Sequence, residues 1–156
     1  MIGSYSREER EKLAKDLFNL VWRYLEKPKR TVEENDLMVH AAHASCFHWG
    51  EVGSAENLAM GEWQISHVYA VLGRGESALY HGQRALEICK RSDVKDFALA
   101  YAYEALARAH ALQGSADEAK RCIALGKATG QRIKDSMTRD LFLKDIASVP
   151  GFIEVP

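Results

Sequence analysis

Apolar residues return along nearly the whole chain at intervals of three and four, the spacing that lines one face of an α-helix. No stretch alternates at a period of two for long enough to define a strand. Seven helices are predicted, over 7–26, 32–50, 55–72, 76–91, 94–113, 116–130 and 136–148. Pro28, Gly53, Gly73 with Gly75, Ser92-Asp93, Gly114, Gly130 and Pro150-Gly151 punctuate them. Three helix starts carry Ser or Thr followed three residues later by Glu: Ser6 with Glu9, Thr31 with Glu34, and Ser115 with Glu118. In such a capping box the hydroxyl and the carboxylate each satisfy a backbone N–H left open by the first turn. The expected fold class is all-α.

The chain also repeats itself. A shift of 41 residues lays Leu58 on Leu99, Ala59 on Ala100, Ile65 on Leu106, Gly73 on Gly114 and Ala78 on Ala119. Tyr69 falls on His110 under the same shift. Each unit is a helix, a glycine turn, and a second helix with a small Ala near its start. Short side chains there let two antiparallel helices approach closely. The agreement fades beyond that Ala, where Ala85 meets Gly126 and Leu86 meets Lys127.

The series Tyr69, Gly73, Ala78, Ala85 and Leu86 resembles the tetratricopeptide repeat in a longer variant of about 42 residues. Leu106, His110, Gly114 and Ala119 form a similar second unit, which departs from the pattern at Gly126. The stretches around His48-Trp49, Gly61-Glu62-Trp63 and Tyr103-Glu104-Ala105 resemble a group of short bacterial proteins to which no activity is attached. The tetratricopeptide resemblance implies an antiparallel helix-hairpin stack wound as a right-handed superhelix, with 1–156 as one domain. Within it, 7–53 forms a helical cap, 55–130 two repeat-like units, and 135–156 a C-terminal helix and tail.

In such stacks the first helix of each pair lines a concave surface. Carried across, the groove positions are Met60, Trp63 and His67 in one unit and Tyr101, Glu104 and Arg108 in the other. Helical geometry agrees, because 60, 63 and 67 share one stripe, while 97, 101, 104, 108 and 111 share another. Aromatic anchors beside a Glu and an Arg suit a peptide ligand, with apolar contact for affinity and charge for register. The competing expectation is that flanking helices of the chain itself bury these stripes, with Glu104 and Arg108 a simple i,i+4 pair.

Helix three is apolar around most of its circumference, so Glu62 is expected in an apolar neighbourhood with a donor from helix two or five. His40 and His43 lie three apart on helix two. With Glu62 or His67 they form a candidate divalent-metal set, and the alternative expectation is a small metal-dependent enzyme or sensor with this site between helices two and three. A small ligand between helices three and five is a third possibility. The spacings of His-Glu-x-x-His, of a Walker-type loop and of Gly-x-Ser-x-Gly do not occur.

Composition narrows the field further. The 156 residues are 47% hydrophobic and 28% charged, with 21 Lys plus Arg against 22 Asp plus Glu, a net charge of -1. That balance speaks against a basic nucleic-acid binder, and no apolar run is long enough for a membrane span. Cys46, Cys89 and Cys122 are odd in number and lie in alanine-rich helical surroundings, as structural thiols in a reducing compartment do. The charged N-terminal decapeptide is unlike a signal peptide, so a soluble, cytoplasmic domain is expected. The expectation is a non-catalytic domain without a cofactor that contacts a protein or peptide, or a second copy of itself. The apolar tail from Pro150 to Pro156 is expected to pack back on the bundle.

Overall fold

A computed structural model describes residues 3–151, and the tail reading falls largely outside them. Seven helices follow one another: α1 (Arg7–Leu25), α2 (Val32–Val52), α3 (Ala55–Val71), α4 (Gly75–Arg91), α5 (Phe97–Leu112), α6 (Ala116–Gly130) and α7 (Ser136–Ala147). No strand occurs among the described residues. The chain is all-α.

Local chemistry sets most of the ends. Ser6 with Glu9 and Thr31 with Glu34 close their capping boxes. Ser54, where no box was expected, forms a third one with Asn57, whose amide oxygen takes the place a Glu carboxylate has in the other two. Ser115 makes no side-chain cap bond, so the box expected with Glu118 is absent. Gly73 and Gly114 both take a left-handed backbone, with φ of +74° and +75°. The next N–H then reaches back five residues, from Arg74 to the Tyr69 carbonyl and from Ser115 to the His110 carbonyl. Helix α5 starts at Phe97, three residues later than expected, because Asp93 and Asp96 both have positive φ. At Asp93 the left-handed residue ends α4, and the Val94 N–H bonds to the Cys89 carbonyl.

Each helix packs on the next in sequence, and α1, α3, α5 and α7 also touch in series. The backbones of α2 and α4 stay apart, so the middle of α3 is left as the floor of a trough between them. Buried alanines make the close crossings possible. Ala59, Ala100, Ala105 and Ala109 are all at most 3% exposed, and so are Ala78 and Ala119 behind the two glycine turns. At Gly126 and Gly130 even Ala is too large: an added Cβ would lie 2.6 Å from Ile146 and 2.1 Å from Phe142. Helix α7 therefore lies directly on the backbone of α6, which explains why the second unit departs from its repeat there.

Candidate functional site

The 41-residue period has a direct spatial meaning. Trp22, Trp63, Glu104 and Asp145 are spaced by that interval, one on each odd-numbered helix. Neighbouring rungs meet. The Trp22 and Trp63 rings lie 5.9 Å apart, and Trp63 Nε1 donates to Glu104 Oε2 at 2.8 Å. Arg108 bonds Glu104 Oε1 through Nε at 2.8 Å and through Nη2 at 2.7 Å, then reaches α7 at the Asp145 carbonyl and Ser148 Oγ. One turn back, Tyr101 donates to Asp145 Oδ2 at 2.6 Å and sets its ring edge-on against Phe142. Burial, followed by the acceptor carboxylate of Asp145, pushes the Tyr101 phenol pKa up.

These are the residues expected to line an open groove, and the structure corrects that expectation. Trp63, Tyr101 and Glu104 are buried, while Met60, His67 and Arg108 are half-buried. Helix α1 covers one end of the stripe with Trp22, and α7 covers the other with Phe142, Asp145 and Ser148. The stripe is a filled seam that holds the odd-numbered helices together. His67 stacks on Trp63 at 5.3 Å with Trp22 on its flank, and its buried Nδ1 has no hydrogen-bond partner among the described residues. Burial lowers the His67 pKa, and Arg108 adds to this while Glu104 and Asp145 oppose it.

The four candidate metal ligands do not converge. His67 belongs to the seam and His40 is exposed, while His43 and Glu62 face the trough on the other side of α3. Among the described residues no three His, Cys, Asp or Glu side chains come together as a metal site. Glu62 does find a donor, but from α4: His81 Nδ1 lies 2.7 Å from Glu62 Oε2. Helices two and five, the expected sources, do not supply it.

That trough is the second polar constellation of the molecule, with a volume of about 400 Å³. Its α2 wall is His43, Cys46, Phe47, Gly50 and Glu51, its floor is Leu58, Glu62 and Ile65 of α3, and His81 stands on the α4 side. Around it the aromatic rings form a connected set. His43 and His81 meet edge to face at 5.3 Å, Tyr69 stacks on His81 at 5.7 Å, and Tyr80 sets its ring against His81 at 5.1 Å. His43 Nε2 is 2.9 Å from the Tyr69 hydroxyl. Partial desolvation of the His43 ring, reinforced by His81 and His40 against Glu62, lowers its pKa. Cys46 lies beneath. Burial, then the charge of Glu62, pushes its thiol up to about 12, which leaves it protonated and unreactive at neutral pH. Phe47 remains 49% exposed on the α2 wall, and Tyr80, beside His81 on α4, is 58% exposed.

Sequence reasoning missed His81, Phe47, Tyr80, Trp22 and Asp145. The signal for the last two is the 41-residue interval, once extended beyond the two central units. For the trough the signal is charge: residues 31–73 hold six carboxylates and no Lys or Arg. No described helix is long and apolar enough to cross a membrane. Comparison with known proteins adds nothing to this geometry: no family model, curated protein or solved structure matches the chain.

Proposed function

We propose that the chain is a non-catalytic protein-interaction module, tetratricopeptide-like in plan, that engages its partner through the α2–α4 trough. The observation that carries this reading is the exposure of large aromatic rings beside a concave surface. Phe47 on the α2 wall and Tyr80, set against His81 on the α4 side, offer apolar area beside a trough whose floor presents the Glu62 carboxylate and whose walls carry the His43 and His81 imidazoles. Concavity with aromatic anchors and a few oriented polar groups is how protein surfaces bind side chains of a partner. The seam takes the structural role. Trp63, Tyr101, Glu104 and Arg108 bond to one another and to α7, so the odd-numbered helices back the trough.

The test compares wild type with the double variant Phe47→Ala/Tyr80→Ala. Both side chains are exposed, so helical content by circular dichroism is expected to be unchanged. Partners cross-linked in lysate and quantified by mass spectrometry are expected to disappear from the variant. They are expected to persist with Met137→Ala, which alters an exposed residue of α7 far from the trough in the chain. Recovery of the same proteins by the trough variant and wild type would overturn the reading.

A further inference from the structure

Charge around the trough points to the kind of partner it fits. None of the residues lining it is Lys or Arg, while Glu51 and Glu62 both are carboxylates. The wider surroundings have the same sign. Helices α2 and α3 carry Glu33, Glu34, Asp36, Glu51, Glu56 and Glu62 without a single Lys or Arg, in a chain whose net charge is only -1. Lys and Arg are therefore concentrated elsewhere in the molecule; within the trough the imidazole of His81 stands against Glu62, and no lining Lys or Arg faces Glu51.

Glu62 is placed to use its charge. Its side chain is 17% exposed, and His81 occupies Oε2, so Oε1 carries no bond from the described residues. A carboxylate oriented by one imidazole donor retains lone pairs for a second donor from outside. Charge-assisted bonds of this kind are the strong ones at an interface. The walls suit the rest of a basic side chain. Phe47 presents a half-open ring on the α2 wall, against which an aliphatic stem can lie while its charged head reaches Glu62. The fold already seats one guanidinium on this aromatic set. Arg74 lies 6.0 Å from the centre of the Tyr69 ring, whose own neighbour is His81.

We infer that the trough docks an Arg- or Lys-bearing segment of a partner protein, with the cationic head on Glu62 and Glu51 and the stem against Phe47. This rests on the interaction reading above and adds the chemistry of the partner to it. A volume of about 400 Å³ accommodates one long side chain together with part of a neighbouring residue, so one basic residue flanked by apolar ones is the expected motif.

The probe is a library of random twelve-residue peptides selected on the immobilised full chain. Enrichment of Arg or Lys at one position is expected. Its replacement by Gln in a synthetic winner should weaken binding at least about tenfold, the effect of losing one charge-assisted contact. Glu51→Gln is exposed and safe for folding. It should weaken the same peptide about threefold, and Glu62→Gln more, with circular dichroism confirming that both variants fold. Raising the salt concentration should weaken binding of the Arg peptide and leave the Gln peptide little changed. Enrichment of acidic peptides, or basic winners indifferent to both Glu variants, overturns the inference. Winners without a basic residue that are lost on Phe47→Ala/Tyr80→Ala overturn it too, yet leave the trough as an interaction surface. If no peptide is enriched and sedimentation shows concentration-dependent self-association sensitive to Glu51→Gln, the occupant is a second copy and the partner assignment is wrong. If neither occurs, the inference falls.

Discussion

Arg108→Met should destabilise the fold far more than an ordinary i,i+4 pair would suggest. The Arg108 side chain is 17% exposed, but the Glu104 side chain it holds is only 1% exposed. Truncation to Met preserves most of the stem volume and leaves Glu104 with a single donor, Trp63 Nε1 at 2.8 Å. A buried charge stripped of its partner costs about 3–5 kcal/mol, and the lower end applies because water can reach the Arg108 side. An exposed helical pair contributes only about 0.3–0.5 kcal/mol. Adding Glu104→Gln to that variant should restore stability by at least about 1 kcal/mol. The amide keeps an acceptor for the Trp63 N–H while removing the uncompensated charge. The assay is urea unfolding followed both by circular dichroism and by tryptophan fluorescence, with coincident transitions as the check on two-state behaviour. At a slope of about 2 kcal/mol per molar, Arg108→Met should lower the midpoint by about 1.5 M. A loss below about 1 kcal/mol, or a double variant less stable than Arg108→Met alone, would refute the view that the seam is a desolvated network.

Two further perturbations probe the same packing. Gly130→Ala should lower stability by about 1–2 kcal/mol: overpacking costs about 1–3 kcal/mol and a modest gain in helix propensity offsets part of it. The new Cβ would sit 2.1 Å from a Phe142 ring that is 0% exposed and has nowhere to swing. Calorimetry should show a melting temperature lower by about 2–8 °C, and a variant that melts at or above wild type would sink the claim that α7 lies on the α6 backbone. His67 should make stability sensitive to acid. Its folded pKa lies below the ordinary imidazole value, so above that range both states are neutral and nothing changes. As pH falls through it, the unfolded chain takes up the proton first and folding is penalised. Wild type should therefore lose more stability than His67→Phe between about pH 8 and pH 5, and equal losses would show that the ring is not desolvated.

The helices were legible because their signals are local. Six of the seven starts fall within a residue of expectation, set by Ser6, Thr31, glycine turns and apolar spacing. The exception, α5, turns on Asp93 and Asp96, whose positive φ has no strong sequence signature, since such a backbone usually selects glycine. The two constellations were harder, for a different reason. A stripe of Met60, Trp63 and His67 is chemically the same whether solvent, a peptide or the chain itself covers it. Periodicity places side chains on a face but carries no information about what approaches that face from another helix. Here the covering groups are Trp22, about 40 residues before Trp63, and Asp145, about 40 residues after Glu104, and they become visible only when the repeat is continued into α1 and α7. The trough fails the converse way. Its residues come from three helices at no fixed interval, with His43 and His81 brought together because α2 and α4 both pack on α3 while their backbones stay apart. A repeat thus exposes contacts between equivalent positions and hides those between inequivalent ones. In a short stack the equivalent positions are consumed in holding the units together, so a binding surface is to be sought among the inequivalent contacts, where charge and exposed rings depart from the repeat.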